Sequence, residues 1–325
     1  MFPIRDTIRS STFPLVNTII ISINVVVFFI EILYASNLEA FIYTYGLVPA
    51  RYSDPGLASY FSSGQQLFSL VSFMFLHGGF LHLIGNMWFL YIFGDNIEDR
   101  LGHVRYILFY LLCGWASAAV QLGINFDSMI PTIGASGAVA GVMGAYLILF
   151  PRSRILTMIL IVIIPYFIEL PSIFFLAFWF IIQFVSASLS DVSADGIAWW
   201  AHVGGFTSGI IFSGILLIIP RTGFNTKTQK ATTRQSTPRF QMARPKYIDN
   251  EPHLYGTITV TSKEAMNGTR KLVNIPGIGR KKFFFVNVPP GVSSGTVLRL
   301  PKMEDYSDSI QGDIYLNIEV LGTEA

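Results

Sequence analysis

Charged side chains are scarce in this 325-residue chain: they make up 13% of it, against about 25% in an ordinary soluble domain. Lysine is missing altogether from residues 1–220, which carry only seven arginines, whereas residues 221–325 hold fifteen of the 22 Lys and Arg. So little charge cannot cover a water-soluble surface over the first 220 residues. With 52% hydrophobic residues and a mean hydropathy of +0.53, the first part reads as membrane-embedded and the second as a polar domain. A single cysteine, Cys113, excludes an intramolecular disulfide and a Cys-rich zinc module. It lies in an apolar run, where packing is its expected role.

What is present are long apolar runs. The first, 15–33, follows Arg5 and Arg9 and has no small-residue cleavage site behind it. It is read as a retained first helix rather than a signal peptide. Stretches near 15–34, 72–93, 105–123, 135–150, 171–189 and 198–219 are candidate spans. The ambiguous piece is 155–190, broken by Pro165, Glu169 and Pro171. It reads as two spans, or as one span after an interfacial segment. Lys and Arg collect on the cytoplasmic side. Arg5 and Arg9, Arg100 and Arg105, Arg152 and Arg154, and Arg221 onward alternate with loops holding Arg51 alone beside Glu39, Asp54, Asp127, Asp191 and Asp195. One span between Arg154 and Asp191 keeps that alternation. The expected fold is a polytopic α-helical membrane protein, a six-span bundle followed by a small mostly-β domain. Its expected place is a cell membrane, a bacterial inner membrane, crossed several times with both termini cytoplasmic.

Polar residues inside spans are costly and are functional candidates by default. Ser136 stands in Gly134-Ala135-Ser136-Gly137 and opens the fourth span. Backbone N–H groups at a helix start favour negative charge there. Alone, such a serine is equally an N-cap or a packing residue. The following helix has a small face, Ser136, Ala140 and Gly144 with Gly137, Gly141 and Ala145 beside it; the sixth span has Gly205 and Gly209. Small residues four apart let membrane helices approach closely, which would bring Ser136 to His202 in Ala201-His202-Val203-Gly204-Gly205. A serine hydroxyl needs a base, and imidazole serves near neutral pH. His82 and Asn86, at i and i+4, share a helix face and can donate to developing negative charge. Read alone they are also a polar clamp between helices. His77 is upstream. His103 sits between Arg100 and Arg105 and reads as solvated, and His253 in the tail carries no chemical signal.

Together these residues resemble the rhomboid family of intramembrane serine proteases, over roughly 10–220. The resemblance rests on His77, His82 and Asn86 in HGGFLHLIGN, on Glu98-Asp99-Arg100-Leu101-Gly102, on Gly134-Ala135-Ser136-Gly137 and on Ala201-His202-Val203-Gly204-Gly205. It implies Ser136 as nucleophile, His202 as base, and an oxyanion held by the Ser136 N–H, His82 and Asn86. Gly134, Gly137, His77 and Gly205 would support the site, with no cofactor, no metal and no nucleic-acid partner. The implied substrates are transmembrane proteins cut within the lipid bilayer. Many members carry a Trp-Arg pair in the first long loop, where this chain has Phe68 and Ser69. The rival from another class is a non-enzymatic membrane chaperone or scaffold that binds substrate helices. The Ser136/His202 pair argues against it, since a scaffold needs neither.

Residues 221–249 read as a basic flexible linker: seven Lys/Arg precede the first acid, Asp249. From Tyr255 the pattern turns to β, with runs at Thr257–Thr261, Lys281–Val288, Val297–Leu300 and Asp313–Val320. The order Glu264-Ala265…Gly268, Pro289-Pro290-Gly291-Val292…Gly295, Leu298-Arg299-Leu300, Gly312-Asp313-Ile314-Tyr315 resembles the C-terminal β domain of DnaJ-type co-chaperones, over 250–325. That resemblance implies binding of unfolded polypeptide or self-association. No His-Pro-Asp tripeptide is present, so this chain is not expected to stimulate an Hsp70-type ATPase.

Overall fold

The structure is a computed structural model that describes residues 1–8, 10–161, 164–189, 197–220, 223, 228–229, 231–233, 240–243, 246–247, 253–274, 283–300 and 313–321. The chain forms two compact units, Met1–Thr233 and Arg234–Ala325.

In the first unit a short strand β1 (Phe2–Asp6) leads to helix α1 (Leu15–Leu33). A long loop follows, carrying the short helices α2 (Leu38–Tyr45), α3 (Ala50–Ser53), α4 (Pro55–Ala58) and α5 (Ser63–Ser72). Then come α6 (Phe80–Leu101), α7 (His103–Ile124), α8 (Ser136–Leu149), a hairpin of β2 (Arg154–Ile161) and β3 (Ile164–Pro171), α9 (Ser172–Leu189) and α10 (Trp199–Ile218). Six helices thus stand where the apolar runs lie. Among the described residues four of them, α1, α7, α9 and α10, are long and apolar enough to cross a bilayer alone. Helix α6 passes only with the helical turns before it, across a 76° bend; α8 is a shorter apolar helix.

In its described residues the region 155–171 forms neither a span nor a helix. It is an antiparallel hairpin extended by β1 into a sheet of order β1-β2-β3. Alternating Ile155, Thr157, Ile159 and Ile161 suit a pleated surface, and Pro165 and Pro171 lie on the edge strand, where a missing N–H is tolerated. Of the 36-residue stretch only α9 is left to cross. Asp191 and Asp195 lie outside the described residues.

Helix α8 is the core of the bundle: every residue from Gly137 to Tyr146 is buried. Its main neighbour is α10, followed by α7 and α6. The contact is backbone on backbone. A Cβ at Gly205 would fall onto Gly137 O, one at Gly209 onto Gly141 O, and one at Gly144 onto Phe206 O. The outward faces of α1 and α9 expose Ile19, Ile23, Val26, Phe29, Phe174, Phe178 and Ile181, a belt suited to lipid. Several buried polar groups turn inward and are paired. The Glu98 carboxylate accepts from the N–H groups of Val16 (2.9 Å) and Asn17 (2.7 Å) at the start of α1, and also binds His103 Nδ1. Asp99 accepts from Ser11 and Thr12 through backbone and hydroxyl (2.6–3.0 Å). His103 is therefore buried, not solvated. Its Nε2 meets Thr232 Oγ1 at 2.6 Å, so the chain beyond α10 returns to this corner.

The second unit has two small sheets. One has the order β5-β6-β10-β9, from Lys246–Tyr247, Leu254–Thr261, Ile314–Leu321 and Val297–Leu300; the other has the order β4-β7-β8, from Phe240–Met242, Thr269–Asn274 and Phe283–Val288. Strand β10 runs parallel to β6 and antiparallel to β9. Ile258, Val260, Val273, Val286, Leu316 and Ile318 fill the core. Helix α11 (Ser262–Asn267) starts at a capping box of Thr261 and Glu264. Strand β7 has no counterpart among the sequence runs, since TRKLVN is short and mostly polar.

Two outcomes follow. Gly209→Leu should lower the thermal stability of the bundle by more than the roughly 1–3 kcal/mol of ordinary overpacking, because backbone cannot yield. Gly214→Ala, which faces open space, should leave the melting temperature unchanged. The second outcome concerns Asp6. Its carboxylate accepts from Tyr146 OH (2.5 Å) and Asn96 Nδ2 (2.7 Å), and burial outweighs the Tyr146 hydrogen bond to raise its pKa to about 6. The folded state thus holds this proton more tightly than the unfolded chain. Its stabilising contribution is full below about pH 4 and is lost as pH rises through about 6. Asp6→Asn should therefore gain melting temperature over the parent at pH 8 and not at pH 4.5, measured in detergent; an equal offset at both would contradict this.

Candidate functional site

Ser136 is the first helical residue of α8, where the leading N–H groups have no intrahelical partner. The loop before it is pinned by a Leu47–Thr132 bridge and by Gly134 N–H donating to Phe73 O (2.8 Å). Gly134 has φ +125, and a Cβ there would stand 2.8 Å from the His82 ring. Conformation and space both demand glycine.

The close contact of α8 and α10 brings together two residues 66 apart: His202 Nε2 lies 2.8 Å from Ser136 Oγ. On its other side His202 Nδ1 lies 2.8 Å from Gln183 Oε1 on α9. Trp179 and Trp199 pack against the imidazole, with ring centroids 6.2 and 6.0 Å away. His82 and Asn86 share one face of α6. His82 Nδ1 accepts from Gly78 N–H (3.3 Å), so the neutral ring carries its proton on Nε2, the side nearest Gly134. Asn86 is buried, and its Nδ2 has no hydrogen-bond partner. A cavity of about 600 Å³ is lined by Ser136, His202, His82, Asn86, Gly134 and Gln183, among others. It has the size of a pocket for a small ligand or a peptide side chain. The site thus joins a hydroxyl, an imidazole and at least two donors in one enclosure, the set required for acyl transfer.

Of the supporting residues, Gly137 packs onto Ser117, and Gly205 onto Gly137. His77 does not line the cavity. It is buried, with its ring edge-on to His82 at 5.2 Å, and its backbone N–H donates to the Glu31 carboxylate at 3.0 Å. Among the described residues, no group of three or more His, Cys, Asp or Glu could hold a metal ion.

Residues 64–219 match the family model of the Rhomboid domain, and residues 254–324 match that of the DnaJ C terminal domain. The chain is 32% identical over 187 residues to RHOMBOID-like protein 6, mitochondrial, of Arabidopsis thaliana, covering 57% of this chain and 53% of that one. It is 28% identical over 190 residues to RHOMBOID-like protein 1 of the same plant, covering 58% and 43%. With Rhomboid protein 1, mitochondrial, of Saccharomyces cerevisiae it shares 27% over 184 residues, covering 54% and 46%. The membrane-embedded part is similar to the rhomboid family over residues 64–219. The chain spans about half the length of these curated relatives.

Three features of this helical domain escaped the sequence reading. Gln183 is the lone amide in the apolar α9, and the cost of an amide in a span was the signal available. Glu31 in α1 carried the same signal. Arg51, counted above only as a loop charge, is buried; its guanidinium stacks over Phe61 at 3.7 Å and donates to the carbonyls of Tyr43 and Thr44. It ties the first long loop together where Phe68 is exposed and Ser69 is bonded to Tyr52 (2.7 Å).

Proposed function

We propose that this protein is an intramembrane serine protease that cleaves transmembrane segments of other membrane proteins, with Ser136 as nucleophile and His202 as base. The observation that carries the proposal is the 2.8 Å contact between His202 Nε2 and Ser136 Oγ inside a cavity. Ser136 Oγ attacks the scissile carbonyl while Nε2 takes its proton. The resulting oxyanion accepts hydrogen bonds from the Ser136 N–H, His82 Nε2–H and Asn86 Nδ2. His202 then protonates the leaving amine, and water attacks the acyl-enzyme by the reverse assistance. A helical peptide bond is shielded by its own backbone hydrogen bonds. Substrates are therefore spans that unwind near the entry of the cavity. All six helices of the bundle cross or re-enter the membrane in this reading, with both termini cytoplasmic, residues 1–220 as the protease domain and 221–249 as linker. The β domain from 250 holds an extended segment of the substrate by adding it to a free sheet edge.

The deciding experiment is reaction of the purified protein with a fluorophosphonate probe. Ser136→Ala should abolish labelling, and Ser136→Ala and His202→Ala should each abolish cleavage of a model membrane substrate with folding intact. Near-normal turnover in either would remove the dyad.

A graded loss is expected on α6. Losing one oxyanion donor costs about 10²–10³ in rate, so Asn86→Ala and His82→Ala should cleave slowly yet still label. Complete loss of labelling would instead assign them to building the dyad.

Deleting residues 234–325 spares the segment that returns to His103. The truncated protein should cleave a short tail-less substrate at the parent rate and a substrate with a disordered cytoplasmic extension more slowly. Equal rates on the extended substrate would leave self-association as the role of the β domain.

A further inference from the structure

The hairpin of β2 and β3 has no place in the chemistry above. Its base is fixed: Ser172 N–H donates to Ser153 O (2.8 Å), Ser172 Oγ to Phe150 O (2.6 Å), and Ile155 and Thr157 are fully buried. Its distal half leaves the bundle. Among the described residues, strand β1 pairs with β2 only over Ile155–Met158, and the outer edge of β3 has no strand beside it. Register puts Leu160 and Phe167 on one face and Ile161, Ile164 and Tyr166 on the other, and each of these is at least 50% exposed. No charged residue occurs between Arg154 and Glu169, while exposed Arg152 and Arg154 stand at the base.

We propose that this hairpin is a membrane-interface anchor whose distal half lies in the leaflet at the end of the bundle where α8 stops and α9 begins. Three facts choose lipid over a protein partner. A second copy's sheet would cover one face and leave the other in water, whereas acyl chains cover both. Exposed apolar side chains occur again beyond Glu169, at Ile173 and Phe174 on α9. Arg152 at the base, beside the exposed Arg154 that pairs with Glu169 at 3.7 Å, matches anionic headgroups. The unpaired N–H and C=O groups of the β3 edge cannot enter hydrocarbon. The hairpin, about 26 Å long, therefore lies along the headgroup–acyl boundary, roughly 5–10 Å deep. It fixes the depth of α9.

The test uses the full chain with Cys113→Ala, reconstituted in bilayers containing phosphatidylglycerol, carrying a bimane label at Phe167→Cys or, as reference, at Arg152→Cys. Lipids brominated on the acyl chain should quench the label at 167 several-fold more than at 152, and aqueous iodide should do the reverse. Iodide quenching at 167 equal to that at 152 would overturn the proposal, as would disulfide formation between copies of the unlabelled Phe167→Cys protein.

A separate observation concerns Gln183, and this inference rests on the protease reading. Gln183 Oε1 can only accept, so His202 Nδ1 must carry a proton and Nε2 must present its lone pair to Ser136. Gln183 is buried, on a helix that holds neither member of the dyad. We infer that Gln183 is a positioning residue that sets the tautomer and plane of His202. Gln183→Leu should slow fluorophosphonate labelling by about tenfold to a hundredfold, part of what a general base supplies. Its melting temperature and KM should not change. Gln183→Glu keeps an acceptor oxygen in either protonation state and should restore most of the rate. A parent rate in Gln183→Leu, or equal losses in both variants together with lower stability, would overturn the inference. Failure of the parent itself to label would strike the protease reading instead.

Discussion

The backbone contact between α8 and α10 is the constraint on which the rest of this bundle depends. Lipid offers helices no hydrophobic reason to associate, so their pairing rests on close packing. Gly137, Gly141 and Gly144 meet Gly205, Gly209 and the backbone at Phe206 with no room for a Cβ. That approach fixes the axial register of the two helices, and the register sets Ser136 against His202. A single added side chain along this seam would move the hydroxyl and the imidazole apart before it touched either.

Polar groups do the remaining work of orientation, and each is aimed inward. Glu98 and Asp99 clasp the start of α1 and the residues before it. Gly102, at φ +83, lets the chain reverse from α6 into α7 directly after that clasp. The motif Glu98-Asp99-Arg100-Leu101-Gly102 is therefore a structural joint that locks the helix bearing His82 and Asn86. Gln183 plays the corresponding part for α9. With α9 held by Gln183 at the site and by the hairpin at the membrane surface, the wall of the cavity has two fixed points.

The β unit stands apart in its physics. Its core is a conventional alternation of buried aliphatic residues, and its buried Lys271 is neutralised by Glu264 at 2.6 Å. A tethered module that holds an extended segment raises the local substrate concentration to ~mM with no new contact at the protease. Residues 254–324 of this unit match the DnaJ C terminal domain.

The sequence by itself determined the membrane part, the positions of six apolar helices and the four short motifs of the site, because polar residues in apolar runs and small residues four apart are local signals. His82 and Asn86 could be put on one face by periodicity alone. The β unit was legible wherever alternation was clean, and β7 was not, since its pairing with β8 outweighs a mostly polar run. Only the tertiary structure decided the fate of 155–171. An apolar β-branched stretch reads the same in a helix and in a hairpin, and β1, more than 140 residues earlier, settles the choice by pairing. Only the tertiary structure, too, gave His202 a partner on each side. The imidazole's usefulness depends on which nitrogen is free, and that is set by Gln183, nineteen residues away on a different helix.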